Sequence, residues 1–200
     1  MPRPFVEEER ELLRQKLLHA ARRRIEEVGV RAMSVADLTR QVGIAKGSFY
    51  LLYESKEALV MEVLIDAETG VRTSLRETAA DRSGTAEATM TAVVRSMFEA
   101  VGSHPVLGLL ADPEEGPHIF RMVSAEELAA RTADDDRWFA ELTQQLKADG
   151  VMSASVPDDS LAAIARLALT VTRDPDLAGH PGLVGMLCES LGARLAGVRT

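Results

Sequence analysis

Five consecutive residues, Lys46-Gly47-Ser48-Phe49-Tyr50, put a mobile cation, a position without a side chain, a hydroxyl and two aromatic rings side by side. Preceded by Ala45, they form a short run in which small side chains let backbone and hydroxyl groups approach a nucleic-acid surface closely. Helix N-termini point N–H groups at phosphates, and Lys46 adds positive charge there. Tyr50 can lay its ring near a groove while its hydroxyl reaches a phosphate. A second set of reactive types is His104, Asp112, Glu114, Glu115 and His118. It is loosely spaced and has no His-Glu-x-x-His or comparable helical ligand pair, so it reads as a solvated acidic loop. One cysteine, Cys188, leaves no intrachain disulfide and no Cys-based zinc site. No enzymatic activity, cofactor or metal is expected.

The elements that must position the first run are helices. Leu12, Leu13, Leu17, Ala20, Ala21, Ile25 and Val28 recur at helical spacing, which predicts an amphipathic helix from about Glu8 to Val28, ended by Gly29. Ser34, with Asp37 three residues on, starts a two-turn helix through Val35, Leu38 and Val42. Gly43 supplies the positive φ of a tight turn, Ile44 is an apolar anchor, and a second short helix runs from about Ala45 to Leu51. Ser55 then caps a long helix from Lys56 to about Leu75. Short helix, glycine turn, short helix is the helix-turn-helix arrangement, in which the second helix enters the major groove and the first braces it. Phe49, Ile44 and Leu38 are core residues of that unit.

Further along, the pattern predicts a loop at Ala79–Thr85 and a helix at Ala86–Ser103. A short element starts at Pro105, and Asp112–Pro117 reads as a loop. The Ser124/Glu127 capping box opens a helix reaching about Asp149. After a turn at Ser153–Pro157 come a strongly apolar helix, Asp158–Val171, a break at Asp174–Pro181 and a last helix, Gly182 to about Val198. No strand alternation persists. The expected fold is all-α with about nine helices, divided into a DNA-binding part at 1–55 and a helical body at 56–200.

The net charge of −8 is unevenly spread. Residues 1–56 carry 11 Lys/Arg against 8 Asp/Glu, whereas 57–200 carry 12 against 23. Phosphate attraction is local, so a basic headpiece on an acidic body is compatible with DNA. Arg22, Arg23 and Arg24 read as a solvated face, and Arg3 as either a tail or a phosphate-seeking arm. No apolar run approaches the roughly 20 residues of a membrane span, and the first residues lack a secretory h-region, so a cytoplasmic location is expected.

The stretch SVADLTRQVGIAKGSFYLLYESKEALVMEVL resembles the N-terminal signature of the TetR family of transcriptional regulators: a Ser/Thr cap, a patterned helix and a glycine turn, then Lys-Gly-Ser-aromatic-Tyr and Ser-Lys-Glu-x-Leu. The match extends over about 45 residues, roughly Ala20 to Leu64. The resemblance implies that Lys46, Ser48 and Tyr50 contact DNA, that Ser34 touches a phosphate and that Lys56 clamps the backbone. Ala45, Gly47, Leu51 and Tyr53 complete the candidate DNA-binding set. This sequence departs from the family pattern at Ala45, usually Ser, and at Leu51 and Leu52, often polar. One of the two leucines can pack inward and the other can meet a thymine methyl. Ser34 and Ser55 are helix caps under any reading.

The resemblance also implies an effector pocket in the body and a homodimer through the last two helices. Asp158–Val171 and Gly182–Val198 are apolar over more than one stripe, and such helices need a second surface to cover them. Gly185, Gly192 and Ala193 permit close helix approach. Candidate pocket residues are Met97, Phe98, Val101, His104, Phe120, Arg121, Trp138, Phe139, Leu142 and Leu169, a lining suited to a hydrophobic or amphipathic effector. An ion pair between Arg121 and Glu126 or Glu127 is the simpler reading of that arginine. The expected function is a repressor that binds a palindromic operator as a homodimer and is released by a small molecule. The alternative is a DNA-binding regulator whose body binds a protein partner.

Overall fold

The computed structural model describes residues 7–198, and Arg3 lies outside them. Among the described residues the chain forms ten α-helices and one 3₁₀ turn, with no strand. They fall into two compact units, Met1–Glu68 and Thr69–Thr200.

In the first unit α1 runs over Glu7–Ala32, with Gly29 (φ 79°, ψ 172°) breaking its helical geometry near the end. Only glycine adopts that conformation without steric cost, so the stop expected there is a kink. α2 is Val35–Val42, and Gly43 ends it in the left-handed region (φ 78°) while donating its N–H to the Thr39 carbonyl. α3 is Lys46–Tyr50, and α4 runs over Lys56–Ala80, five residues past the expected end. Leu17, Ala21 and Ile25 of α1, Leu38 of α2, Phe49 of α3, and Leu59, Val60 and Val63 of α4 are buried and make up the interior of this unit.

In the second unit α5 (Ala86–Gly102) is central and packs most extensively on α10 (Pro181–Ala196) and next on α8 (Ser160–Arg173). α7 (Ala125–Ala148) packs on α8 and opens with the capping box expected of it: Ser124 and Glu127 satisfy each other's backbone N–H groups. Two short helices lie where the sequence pattern suggested loops: α6, Glu115–Phe120, and α9, Pro175–Ala178. Each is started by an aspartate, Asp112 and Asp174, whose carboxylate accepts two backbone N–H groups. The core joins Met90, Val94, Met97 and Phe98 of α5 to Trp138, Leu142 and Leu146 of α7, Leu161 and Ile164 of α8, and Cys188 of α10. At the α5–α10 crossing a Cβ on Gly192 would stand 2.7 Å from the Thr91 backbone. Gly192 therefore permits the close approach of α10 to α5 within one chain.

Candidate functional site

α3 is amphipathic over a single turn. Phe49 is fully buried and Tyr53 stacks on it at 5.7 Å, whereas Ala45, Lys46, Gly47, Tyr50 and Leu51 are exposed and Ser48 is half-buried. Leu52 is buried, so of the two leucines Leu51, at 60% exposure, is the outward one. A Cβ on Gly47 would meet no atom within 4 Å, so the space above that position is open. Ala45 precedes α3 without a side-chain cap, and its carbonyl accepts the Ser48 N–H at 2.9 Å. The outer side of α3 thus offers an ammonium, a half-buried hydroxyl, a phenol ring and a leucine, held from behind by one aromatic anchor.

At the start of α2, Ser34 Oγ accepts the Asp37 N–H at 3.1 Å and donates to Asp37 Oδ2 at 2.7 Å. The Ser34 hydroxyl, and then Arg40 at 2.9 Å, hold the Asp37 carboxyl below its usual range. A phosphate contact by Ser34 would have to take its proton from that carboxylate.

In the second unit the expected pocket residues separate into three groups. Met97, Phe98, Trp138 and Leu142 are buried in the core, and Val101 and Phe139 pack against it. Phe120 lies under the Arg173 guanidinium at 4.9 Å, Leu169 is half-buried on α8, and Arg121 is exposed at the end of α6 and pairs with neither Glu126 nor Glu127. His104 is the polar member that reaches a cavity. Its Nδ1 accepts the Val106 and Leu107 N–H groups at 3.2 and 3.1 Å, which places the neutral ring's proton on Nε2. The crevice it lines holds about 340 Å³ between α4 and α5, with Val71, Ser74, Ser96, Glu99 and Ser103. A second hollow of about 300 Å³ on the other side of α5 includes Arg95, Phe98, Glu99, Thr172 and Val184. The open space beside α5 is lined by polar as well as apolar groups. Ser96, Glu99 and Ser103, a polar stripe at helical spacing next to the apolar one, were not among the expected residues.

Among the described residues no group of three or more His, Cys, Asp or Glu is placed to hold a metal ion, and no helix is long and apolar enough to cross a membrane.

Comparison with known proteins bears on the first unit and on the whole chain. The model of the family described as bacterial regulatory proteins, tetR family, matches residues 17–63. The chain is 32% identical over 148 residues to the HTH-type transcriptional repressor KstR2 of Rhodococcus jostii (strain RHA1), covering 74% of this chain and 67% of that one. The chain belongs to the TetR family. It is thus a transcriptional regulator with a helix-turn-helix headpiece, and it is homologous to a repressor. The TetR-family fold extends beyond the headpiece. The crystal structure of a TetR-family regulator from Pectobacterium atrosepticum superposes with a TM-score of 0.70 at 18% identity, covering 97% of each chain. FadR from Bacillus subtilis, in complex with stearoyl-CoA, gives 0.55 at 15% identity, covering 93% of this chain and 99% of that one.

Within this TetR-family headpiece two expected DNA contacts have other surroundings. Tyr53 is only 4% exposed, its ring lies between Phe49 and the Arg14 guanidinium, and burial together with nearby Glu62 pushes its phenol pKa up. It is a packing residue. Lys56 Nζ donates to the Val30 carbonyl at 2.9 Å and to the Met33 carbonyl at 3.1 Å. Val30 lies in the last turn of α1 and Met33 just past its end, so the ammonium ties down carbonyls at a helix C-terminus. Two of its three donors are thereby committed inside the protein. Sequence reasoning missed Arg10 and Arg14 of α1, which donate to the Leu51 and Leu52 carbonyls where the chain leaves α3. No local pattern marks either arginine, and only the tertiary fold brings them to the exit of α3.

Proposed function

We propose that this regulator binds a palindromic operator as a homodimer, with residues 1–55 reading DNA and residues 56–200 dimerising and responding to a small-molecule effector. The observation that carries the DNA reading is the outer side of α3: Lys46, Gly47, Tyr50 and Leu51 stand exposed while Phe49 is buried behind them. Lys46 makes no ion pair among the described residues, so its charge is available to a phosphate. Ser48 and Ala45 allow close backbone approach, Leu51 suits a thymine methyl, and Ser34 contributes through its cap geometry.

The dimer is supported by apolar side chains left outward on the last helices: Leu167 on α8 and Met186 on α10 are 37% and 61% exposed, and Gly185 has no neighbour within 4 Å of an added Cβ. Symmetric half-sites about 34–36 Å apart also call for two headpieces. For the effector, the crevices beside α5 support a small molecule, and their lining favours an amphipathic one with hydrogen-bonding groups over a purely apolar one. FadR of the same fold is seen with stearoyl-CoA, itself an amphipathic ligand. α4 has residues in both units and lines the larger of these two crevices, so a ligand that favours one of its positions would alter operator affinity.

The test is binding to a duplex selected by the wild-type protein from a random-sequence library. Lys46→Ala and Tyr50→Ala should each weaken binding by about tenfold or more, and Lys46→Ala should reduce the salt slope by about one. Unchanged affinity in both variants would remove α3 as the recognition helix.

A further inference from the structure

A five-residue helix has too few hydrogen bonds to hold its own orientation, so the angle of α3 must be set by what grips it from outside. Phe49 grips the middle. The exit is gripped from α1. Arg10 Nη2 donates to the Leu51 carbonyl at 3.4 Å and Arg14 Nη1 to the Leu52 carbonyl at 3.4 Å. The Arg14 guanidinium does more. Its Nη2 donates to Glu62 Oε2 on α4 at 2.7 Å, and its carbon lies 4.9 Å from the centre of the Tyr53 ring. That ring stacks on Phe49 with an interplanar angle of 29°. One planar group therefore touches the exit carbonyl, the aromatic that backs α3 and a carboxylate on the following helix.

We infer that Arg14 is a positioning residue for DNA recognition: it fixes the orientation of α3 through the Leu52 carbonyl and the Tyr53–Phe49 stack, with Glu62 as its counter-charge. Three properties of the group suit this task. A guanidinium can donate along two directions while stacking on a ring, which an ammonium cannot do. Its charge is matched by Glu62, so the pair contributes no net charge toward phosphates. And α1 and α4 are long helices with many buried residues, firm anchors for a short one. Arg14 and Glu62 are each only partly buried, at 39% and 34% side-chain exposure, so the ion pair by itself adds little to stability. Its effect falls on geometry.

The inference rests on α3 being the recognition helix, and the experiment separates the two. Full-length wild type, Arg14→Gln, Arg14→Lys, Glu62→Gln and Lys46→Ala are titrated by anisotropy against the duplex selected by the wild type and against poly(dI-dC). Salt is varied between about 50 and 200 mM. Arg14→Gln should bind the selected duplex about tenfold more weakly, the scale of one lost charge-assisted hydrogen bond, with poly(dI-dC) affinity and the salt slope unchanged. Glu62→Gln should act in the same direction, and Arg14→Lys should recover only part of the loss. An equal loss on both DNAs with a slope reduced by about one would make Arg14 a phosphate contact and overturn the inference. Unchanged affinities accompanied by a lower unfolding midpoint would make it a structural residue only, and would also overturn it. If Lys46→Ala weakens binding while Arg14→Gln keeps full discrimination, the inference alone fails. If Lys46→Ala changes nothing, the assignment of α3 fails and takes the inference with it.

Discussion

Lys46 and Lys56 are the same residue type in one headpiece, and the fold gives them opposite surroundings. Lys46 is exposed in the first turn of α3 and makes no ion pair among the described residues. Lys56 turns inward to the Val30 and Met33 carbonyls at the C-terminal end of α1. Replacing Lys56 with Met keeps the aliphatic stem and removes the donors, so it should lower unfolding stability by about 1.5 kcal/mol or more in urea titrations. At temperatures where the variant is folded, its salt slope on DNA should match the wild type. A slope reduced by about one would restore Lys56 to the DNA contacts. The outward place of Lys46 and Tyr50 was legible because polar groups in a short amphipathic turn face away from its buried aromatic. The place of Tyr53 and Lys56 was not legible. Both flank a loop, where periodicity says nothing about direction, and their partners, Arg14 and the Val30 and Met33 carbonyls, lie more than twenty positions away in the chain.

At the scale of elements, helices with a cap and several turns of apolar spacing were read correctly from the sequence, and α7 is the clearest. Its start is fixed by Ser124 and Glu127, and the hydrogen bonds from Ser124 hold the Glu127 carboxyl below its usual value of 4.5. A depressed folded value means that the contribution is full above the ordinary value and fades as the pH falls through the lower, folded one. Urea midpoints measured from neutral pH downward should therefore fall less steeply at the acid end in Glu127→Gln than in the wild type. Parallel curves would show that the box does not couple to pH. The short helices α6 and α9 escaped notice because each follows an aspartate and contains or adjoins proline and glycine, the composition of a loop. Four to six residues are too few for a period to show. The proposed effector region was the least legible. Aromatic and methionine residues mark a core as readily as a pocket, and here Met97, Phe98, Trp138 and Leu142 are core. The crevice between α4 and α5 is lined in part by Ser96, Glu99 and Ser103, which the apolar pattern passes over.

For the whole molecule, the proposed operator binding depends on two copies of α3 being presented together. An apolar α8 and α10 suggested this from the sequence, and the outward Leu167 and Met186 give it a testable surface. The family resemblance reached the same conclusion from one end of the chain only, because the headpiece carries the signature and the body does not. The most direct measurement is a hydroxyl-radical footprint of the selected duplex with wild type and with the Leu167→Glu/Met186→Glu double variant. A dimeric regulator should give two equivalent protected patches related by the dyad of the duplex, with centres about 34–36 Å apart, and lose both in the double variant while its fold persists. A single unsymmetrical patch, or a symmetric pair kept by a variant that sediments as a monomer, would contradict dimeric binding.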